Sequence, residues 1–274
     1  MNRYGIGLRP PHYTQVLTKP IPIDWLEIHS ENFFHEGGFL LDKIRTIREH
    51  YPLSLHGVSL SLGSPDKPDK NHLKRLKQLM IQIDPFLISD HLSWSRVAGR
   101  YLPDLLPVPY HKESLQVFID NVNYCQDYLG RNLLIENPSS YFEYKSTDMS
   151  EVHFLVSLCQ QTGAKILLDV NNVYVSCCNH QWDPIVYLEA IPADLIDEIH
   201  LAGHSTRMVD KQTLLRIDTH DHPVCEDVWA LYQVVLKRVK EVPILIEWDD
   251  NIPPLDTLLQ EANRARTLAE GLQK

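Results

Sequence analysis

The chain has no apolar run that approaches the roughly 18 residues needed to cross a membrane. Its first residues, Met1 to Gly7, lack the apolar core of a signal peptide. Cysteine is scarce. There are five, an odd number, with Cys177 and Cys178 adjacent, which does not suit a disulfide framework and points to a reduced, cytoplasmic protein. No Cys-x-x-Cys pair occurs, so a zinc ribbon is excluded. Positive charge is also short. Lys and Arg number 26 against 36 Asp and Glu, for a formal net charge of −10. Such a chain has no basic face for phosphates, so neither nucleic acid nor membrane is an expected partner. No Gly-x-Gly-x-x-Gly follows the first expected strand, which disfavours an open dinucleotide-binding sheet.

What is present is a series of short apolar runs separated by amphipathic segments. Expected strands are Tyr4 to Arg9, Asp24 to His29, Leu53 to Val58, Phe86 to Ser89, Leu133 to Ile135, Lys165 to Val170, Leu195 to Leu201 and Pro243 to Ile246. Pro138 cannot donate to a ladder and closes the fifth. Helical periodicity lies between them, for instance Asn71 to Ile83 and His111 to Leu129, the latter ended by Gly130. Asp148 is the expected N-cap of a helix over Glu151 to Gln161. The stretches after His91, around Cys177 and Cys178, and from Ser205 to Val224 read as loops. Strand–helix alternation with eight units predicts one domain over residues 1–274, an α/β (β/α)8 TIM barrel.

The runs end in ligand-type residues. At the strand ends stand His29 and Glu31, His56, Asp90 and His91, Glu136 and Asn137, Asp169, Asn171 and Asn172, His200 and His204, then Glu247, Asp249 and Asp250. Active sites of such barrels lie at that rim. A lone strand-end His is more often a satisfied packing residue, but ligand types ending at least six strands are not explained by packing. Imidazoles mixed with carboxylates suit iron, manganese or zinc. Asp218-x-His220 falls in a loop, where a solvated polar turn is the plainer reading. The adjacent cysteines read as small buried hydrophobes.

Taken in order, the motifs Ser54-Leu55-His56-Gly57-Val58, Ser89-Asp90-His91-Leu92, Ile135-Glu136-Asn137-Pro138, Leu168-Asp169-Val170-Asn171-Asn172, Glu198-Ile199-His200-Leu201-Ala202-Gly203-His204, Asp218-x-His220 and Ile246-Glu247-Trp248-Asp249 are similar to those of the multinuclear non-haem iron-dependent oxidative enzymes. That family includes the methanobactin-type maturases of natural product biosynthesis, and the resemblance spans essentially the whole chain. It implies a TIM barrel binding two or three iron ions in mixed Fe(II)/Fe(III) states, with dioxygen as co-substrate; other divalent metals can occupy such sites in vitro. By carry-over, one iron takes His56, His91 and Glu136. A second takes Glu136, Asp169, His200 and Glu247, so that Glu136 bridges. A third, weaker site takes Asn171 or Asn172 with Asp218 and His220. His204, Asp90 and Asp249 are further candidate ligands, and Glu136, His91 and Asp169 the implied catalytic residues. The implied substrate is a Cys-containing ribosomally made precursor peptide, presented by a small leader-binding partner protein. Two other classes remain open on the residues alone. One is a divalent-metal sugar isomerase or phosphodiester hydrolase of the xylose-isomerase-like class. The other is a non-catalytic metal-binding protein.

Overall fold

The computed structural model describes residues 3–34, 38–210 and 213–272. Eight parallel strands, Arg3–Gly7, Trp25–His29, Leu53–His56, Ile88–His91, Leu134–Glu136, Lys165–Asp169, Ile196–Leu201 and Pro243–Ile246, follow one another in chain order around a closed barrel. The last pairs with the first through Arg3 and Pro243. These strands are largely buried on both faces, as a parallel sheet covered by helices requires; Leu53–His56 and Leu134–Glu136 are buried throughout.

The chain divides into two compact units. One takes the described residues of 1–27, 139–142 and 167–274, the other those of 28–138 and 143–166. In the first, Ile6, Trp25, Trp229 and Tyr232 are fully buried; in the second, Leu53, Leu55, Phe118 and Phe154 are. Each such side chain contributes about 1.5–3 kcal/mol of transfer free energy. Among the described residues no helix is long and apolar enough to cross a membrane. All five cysteines are free thiols.

Several local expectations are corrected. The fourth strand runs Ile88–His91, two residues later than the apolar run suggested, so Asp90 and His91 lie inside it. Ser150, not Asp148, caps the helix Glu151–Thr162 by accepting from the His153 N–H. Asp148 instead accepts from the N–H of Lys112, which opens the preceding helix. The stretch after His91 is a hairpin, Trp94–Val97 against Arg100–Leu106. The polar stretch after His204 carries another, Ser205–Met208 against Leu214–Ile217. Both are antiparallel ribbons with exposed residues, so neither shows a buried apolar run. Cys177 and Cys178 sit in a helix, Val170–His180, that starts directly after the strand Lys165–Asp169. Asp169 is its cap and accepts from the Asn172 N–H at 2.6 Å. A capping carboxylate at the strand's last residue removes the need for a turn.

Candidate metal centre

In the unit containing residues 28–138, three strands end in His56, His91 and Glu136. Parallel pairing sets His91 beside Glu136. All three are buried, and both imidazole Nε2 atoms lie 3.2 Å from Glu136 Oε2. The other ring nitrogens decide what those Nε2 atoms are. His91 Nδ1 faces the Gly57 carbonyl at 3.0 Å. A carbonyl only accepts, so Nδ1 carries a proton, and Nε2 is the ring nitrogen left to bind an ion. His56 Nδ1 lies 2.7 Å from the Ser89 hydroxyl, which donates to the Leu55 carbonyl at 3.4 Å. Ser89 therefore accepts from Nδ1, and His56 has the same tautomer. The two Nε2 atoms and a carboxylate oxygen lie within 4.8 Å of one another. That donor set fits a cation, and outer hydrogen bonds of this kind are what orient histidine ligands.

Asp90 is also buried, but its oxygens turn to the main chain. Oδ1 accepts from the His91 N–H at 2.8 Å and Oδ2 from the Leu60 N–H at 3.1 Å. Burial, then the charge of Glu31, raises its pKa to about 8. A Cβ on Gly57 would come within 2.6 Å of Asp90 Oδ2, so the chain can pass here only as glycine.

The unit containing residues 167–274 holds a different cluster. Donor atoms of Asp169, His220 and Glu247 lie within 4.8 Å of one another, as do those of Glu27, Glu198 and His200. His200 Nδ1 is 2.9 Å from Glu247 Oε2, while Nε2 faces Glu198 at 3.5 Å and Glu27 at 3.6 Å. His220 Nε2 is 2.6 Å from Asp218, and its Nδ1 is 3.5 Å from both Glu247 and Asp249. Burial alone would lower the pKa of both imidazoles. Glu27, Glu247 and a bond to Glu198 outweigh it at His200, and Asp218, Glu247 and Asp249 at His220, so both are raised well above the ordinary value. Burial, then Asp218, raises Asp169 to about 7. Arg9 is buried behind the acids, bonding Asp249 through Nε at 2.9 Å and lying 3.8 Å from Glu247.

The residues expected for a third site are brought together in part. Asn171 Nδ2 donates to Asp218 Oδ1 at 2.7 Å, and Asp218 also meets His220. Asn172 contributes its main-chain N–H to Asp169. His204 Nδ1 lies 2.9 Å from Asn171 Oδ1; burial, then Arg216, lowers its pKa. His220 adopts a left-handed backbone, φ 46°, which is costly for a non-glycine residue.

Sequence reasoning missed Glu27, Glu198, Arg9 and Ser89. A signal existed for the first two. Glu27-Ile28-His29 and Glu198-Ile199-His200 repeat one pattern, and a residue two positions before a strand-end His points to the same side.

The fold is shared with proteins of low sequence identity. Endonuclease IV from Thermus thermophilus aligns with a TM-score of 0.63 at 16% identity, covering 98% of this chain and 99% of that one. A D-psicose 3-epimerase from Clostridium cellulolyticum gives 0.62 at 12%, covering 98% of each. At that identity the likeness shows the xylose-isomerase-like barrel alone. Sequence relatives are much nearer. A UPF0276 protein of Vibrio vulnificus (strain YJ016) is 49% identical over 264 residues, 96% of this chain and 90% of the relative. One from Rhizorhabdus wittichii is 48% identical over 270 residues, 98% of this chain and 95% of the relative. Residues 3–270 match the family described as RiPP precursor modification enzyme MbnB/TglH/ChrH, where RiPP denotes a ribosomally made, post-translationally modified peptide. With nearly its whole length matched, the chain belongs to the MbnB/TglH/ChrH family of enzymes that modify RiPP precursors.

Proposed function

We propose that this protein is a cytoplasmic, multinuclear non-haem iron oxidase that uses dioxygen to modify Cys residues of a precursor peptide, with a small partner protein presenting the peptide leader. The observation that carries the reading is the convergence of the His56 and His91 Nε2 atoms on Glu136, each ring fixed from behind by a hydrogen bond at Nδ1. Nitrogen and oxygen donors without a protein thiolate favour iron over copper(I) or a cluster. Iron held there would supply one-electron chemistry with dioxygen and would bind the substrate thiolate.

The chain's own residues divide the work. His56, His91 and Glu136 would hold one ion, with Gly57 and Ser89 fixing the two imidazoles. Asp169, His200 and Glu247 would hold a second, and the family resemblance implies that Glu136 would serve both. Glu27 and Glu198 keep the proton on His200 Nε2, so that Nδ1 serves as the donor. Arg9 restrains Glu247 and Asp249. Asp218 and His220, with Asn171 or Asn172, make the weaker third site, and His204 and Asp249 flank it.

The test is anaerobic loading with ferrous iron, addition of a Cys-containing peptide and then dioxygen, with mass spectrometry of the peptide. A mass change that requires iron and is lost in the Cys→Ser peptide is expected, because an alcohol does not ionise near neutral pH as a thiol does. Equal activity with zinc, or on the Cys→Ser peptide, would instead assign the protein to non-redox isomerase or hydrolase chemistry.

A further inference from the structure

We infer that Arg216 is the seat for a carboxylate of the precursor peptide. The inference rests on the proposed function only in taking the substrate to be a peptide. The helix Val170–His180 turns one side toward the hairpin strand Leu214–Ile217 and the residues after it. Asn171 bonds Asp218, Tyr174 meets Arg216, and Asn179 clamps the Arg216 main chain, accepting from its N–H at 3.0 Å and donating to its carbonyl at 3.0 Å. The backbone under Arg216 is therefore fixed.

The guanidinium is held as well. It lies over the Tyr174 ring, 5.2 Å from the centroid, with Nη2 3.4 Å from the hydroxyl. That hydroxyl gives its own proton to Asp227 at 2.7 Å, so toward Arg216 it can only accept. Among the described residues Arg216 nonetheless has no counter-ion. No carboxylate of theirs lies within 4.0 Å of it, and its buried Nε has no hydrogen-bond partner. Arg9, Arg264 and Arg266 each meet an acid, Asp249, Glu226 and Asp24 respectively, and half-buried Arg131 and Arg238, which meet none, spend their N–H groups on main-chain carbonyls instead. In a chain of net charge −10, a half-buried, pre-positioned guanidinium whose side chain bonds neither a carboxylate nor a carbonyl is a binding feature rather than a balancing charge.

Its surroundings say where the bound anion would lie. The His204 ring is 5.3 Å from Tyr174, and Asp218 and His220 follow Arg216 on the same short stretch of chain. A carboxylate gripped in two-point fashion by Arg216 would hold its peptide at this edge of the candidate centre. A peptide offers that group in two ways, as its C-terminus or as an Asp or Glu side chain.

Two pairs of short probe peptides, each with one Cys, test this on the zinc-loaded whole protein by calorimetry, where no turnover competes. One pair ends in a free carboxylate or its amide. The other is amidated and carries Asp or Asn next to Cys. Wild type is expected to favour the carboxylate member of one pair by roughly tenfold, and which pair responds identifies the source. Arg216→Gln should abolish the preference and Arg216→Lys keep part of it, both with unchanged zinc content. No preference in either pair, no binding of any probe, or a preference that survives in Arg216→Gln overturns the proposal. Turnover with ferrous iron and dioxygen is read separately. A carboxylate preference without turnover removes the oxidase reading and leaves the Arg216 seat standing. Turnover with an unaltered preference in Arg216→Gln removes only the seat.

Discussion

The two donor clusters differ in how their histidines are held. His56 and His91 are backed by neutral acceptors, Ser89 Oγ and Gly57 O, and face a single carboxylate. His200 and His220 are embedded among acids: Glu27, Glu198 and Glu247 around one, Asp218, Glu247 and Asp249 around the other. The first arrangement leaves both Nε2 atoms and one carboxylate to an incoming cation, with a single acid's charge to balance. The second stores protons in the metal-free state, because the imidazoles balance the buried acids. Filling it with metal must expel those protons. One cluster is built to be ready and the other to be exchanged.

The most severe way to break this contrast is Glu136→Ala. In the proposed reading Glu136 serves two ions, so the variant should lose peptide modification entirely and more than one metal equivalent. Loss of a single equivalent in metal analysis would confine Glu136 to the His56–His91 cluster. Next, His56→Ala should lose its ion while His220→Ala keeps most of the metal. His56 closes a buried strand, whereas His220 lies outside regular structure, on a backbone that is itself costly. Equal metal loss would erase the ranking.

A smaller effect separates readiness from charge. Ser89→Ala removes the acceptor behind His56 and should weaken metal binding by about tenfold, within the range for such outer partners. Competition with a chelator measures it. Smallest in amplitude is the pH response of the metal-free protein. Asp169 and Glu198 are raised to about 7 and Asp90 to about 8, and His200 and His220 are raised too. All bind protons more readily folded than unfolded. Stability from the acids is present below about pH 4 and is lost toward 7 and 8; that from the histidines is present below about pH 6.5 and is lost through their higher folded values. Melting temperature of the apo protein should therefore fall as pH rises from about 6 to about 9, and metal should flatten the slope. A flat curve would show that the acids are already ionised and the histidines not raised.

The strands and their terminal donors were legible because a parallel barrel buries both faces and leaves short, mostly apolar runs, such as Leu133 to Ile135 and Ile166 to Leu168, before the polar ends. Pro138 marked its strand's limit in the same way. The hairpin strand Arg100–Leu106 was not legible, since it is almost wholly exposed and contains Pro103. The helix Val170–His180 was hidden by paired Asn and paired Cys, residues of modest helix propensity whose placement rests on the Asp169 cap. The repeated Glu-Ile-His pattern tells only which side Glu27 and Glu198 face; that Glu27 meets His200, on another strand, appears only in the folded chain.

Asp169 joins two tasks in one side chain. Its Oδ1 is committed to the Asn172 N–H, so it can offer an ion a single oxygen in a fixed direction. The first turn of the following helix is then anchored to whatever that ion does. Amide hydrogen exchange at Asn172 thereby becomes a gauge of occupancy: a small displacement of Asp169 would loosen the cap and register first at that one proton, before any change in the barrel.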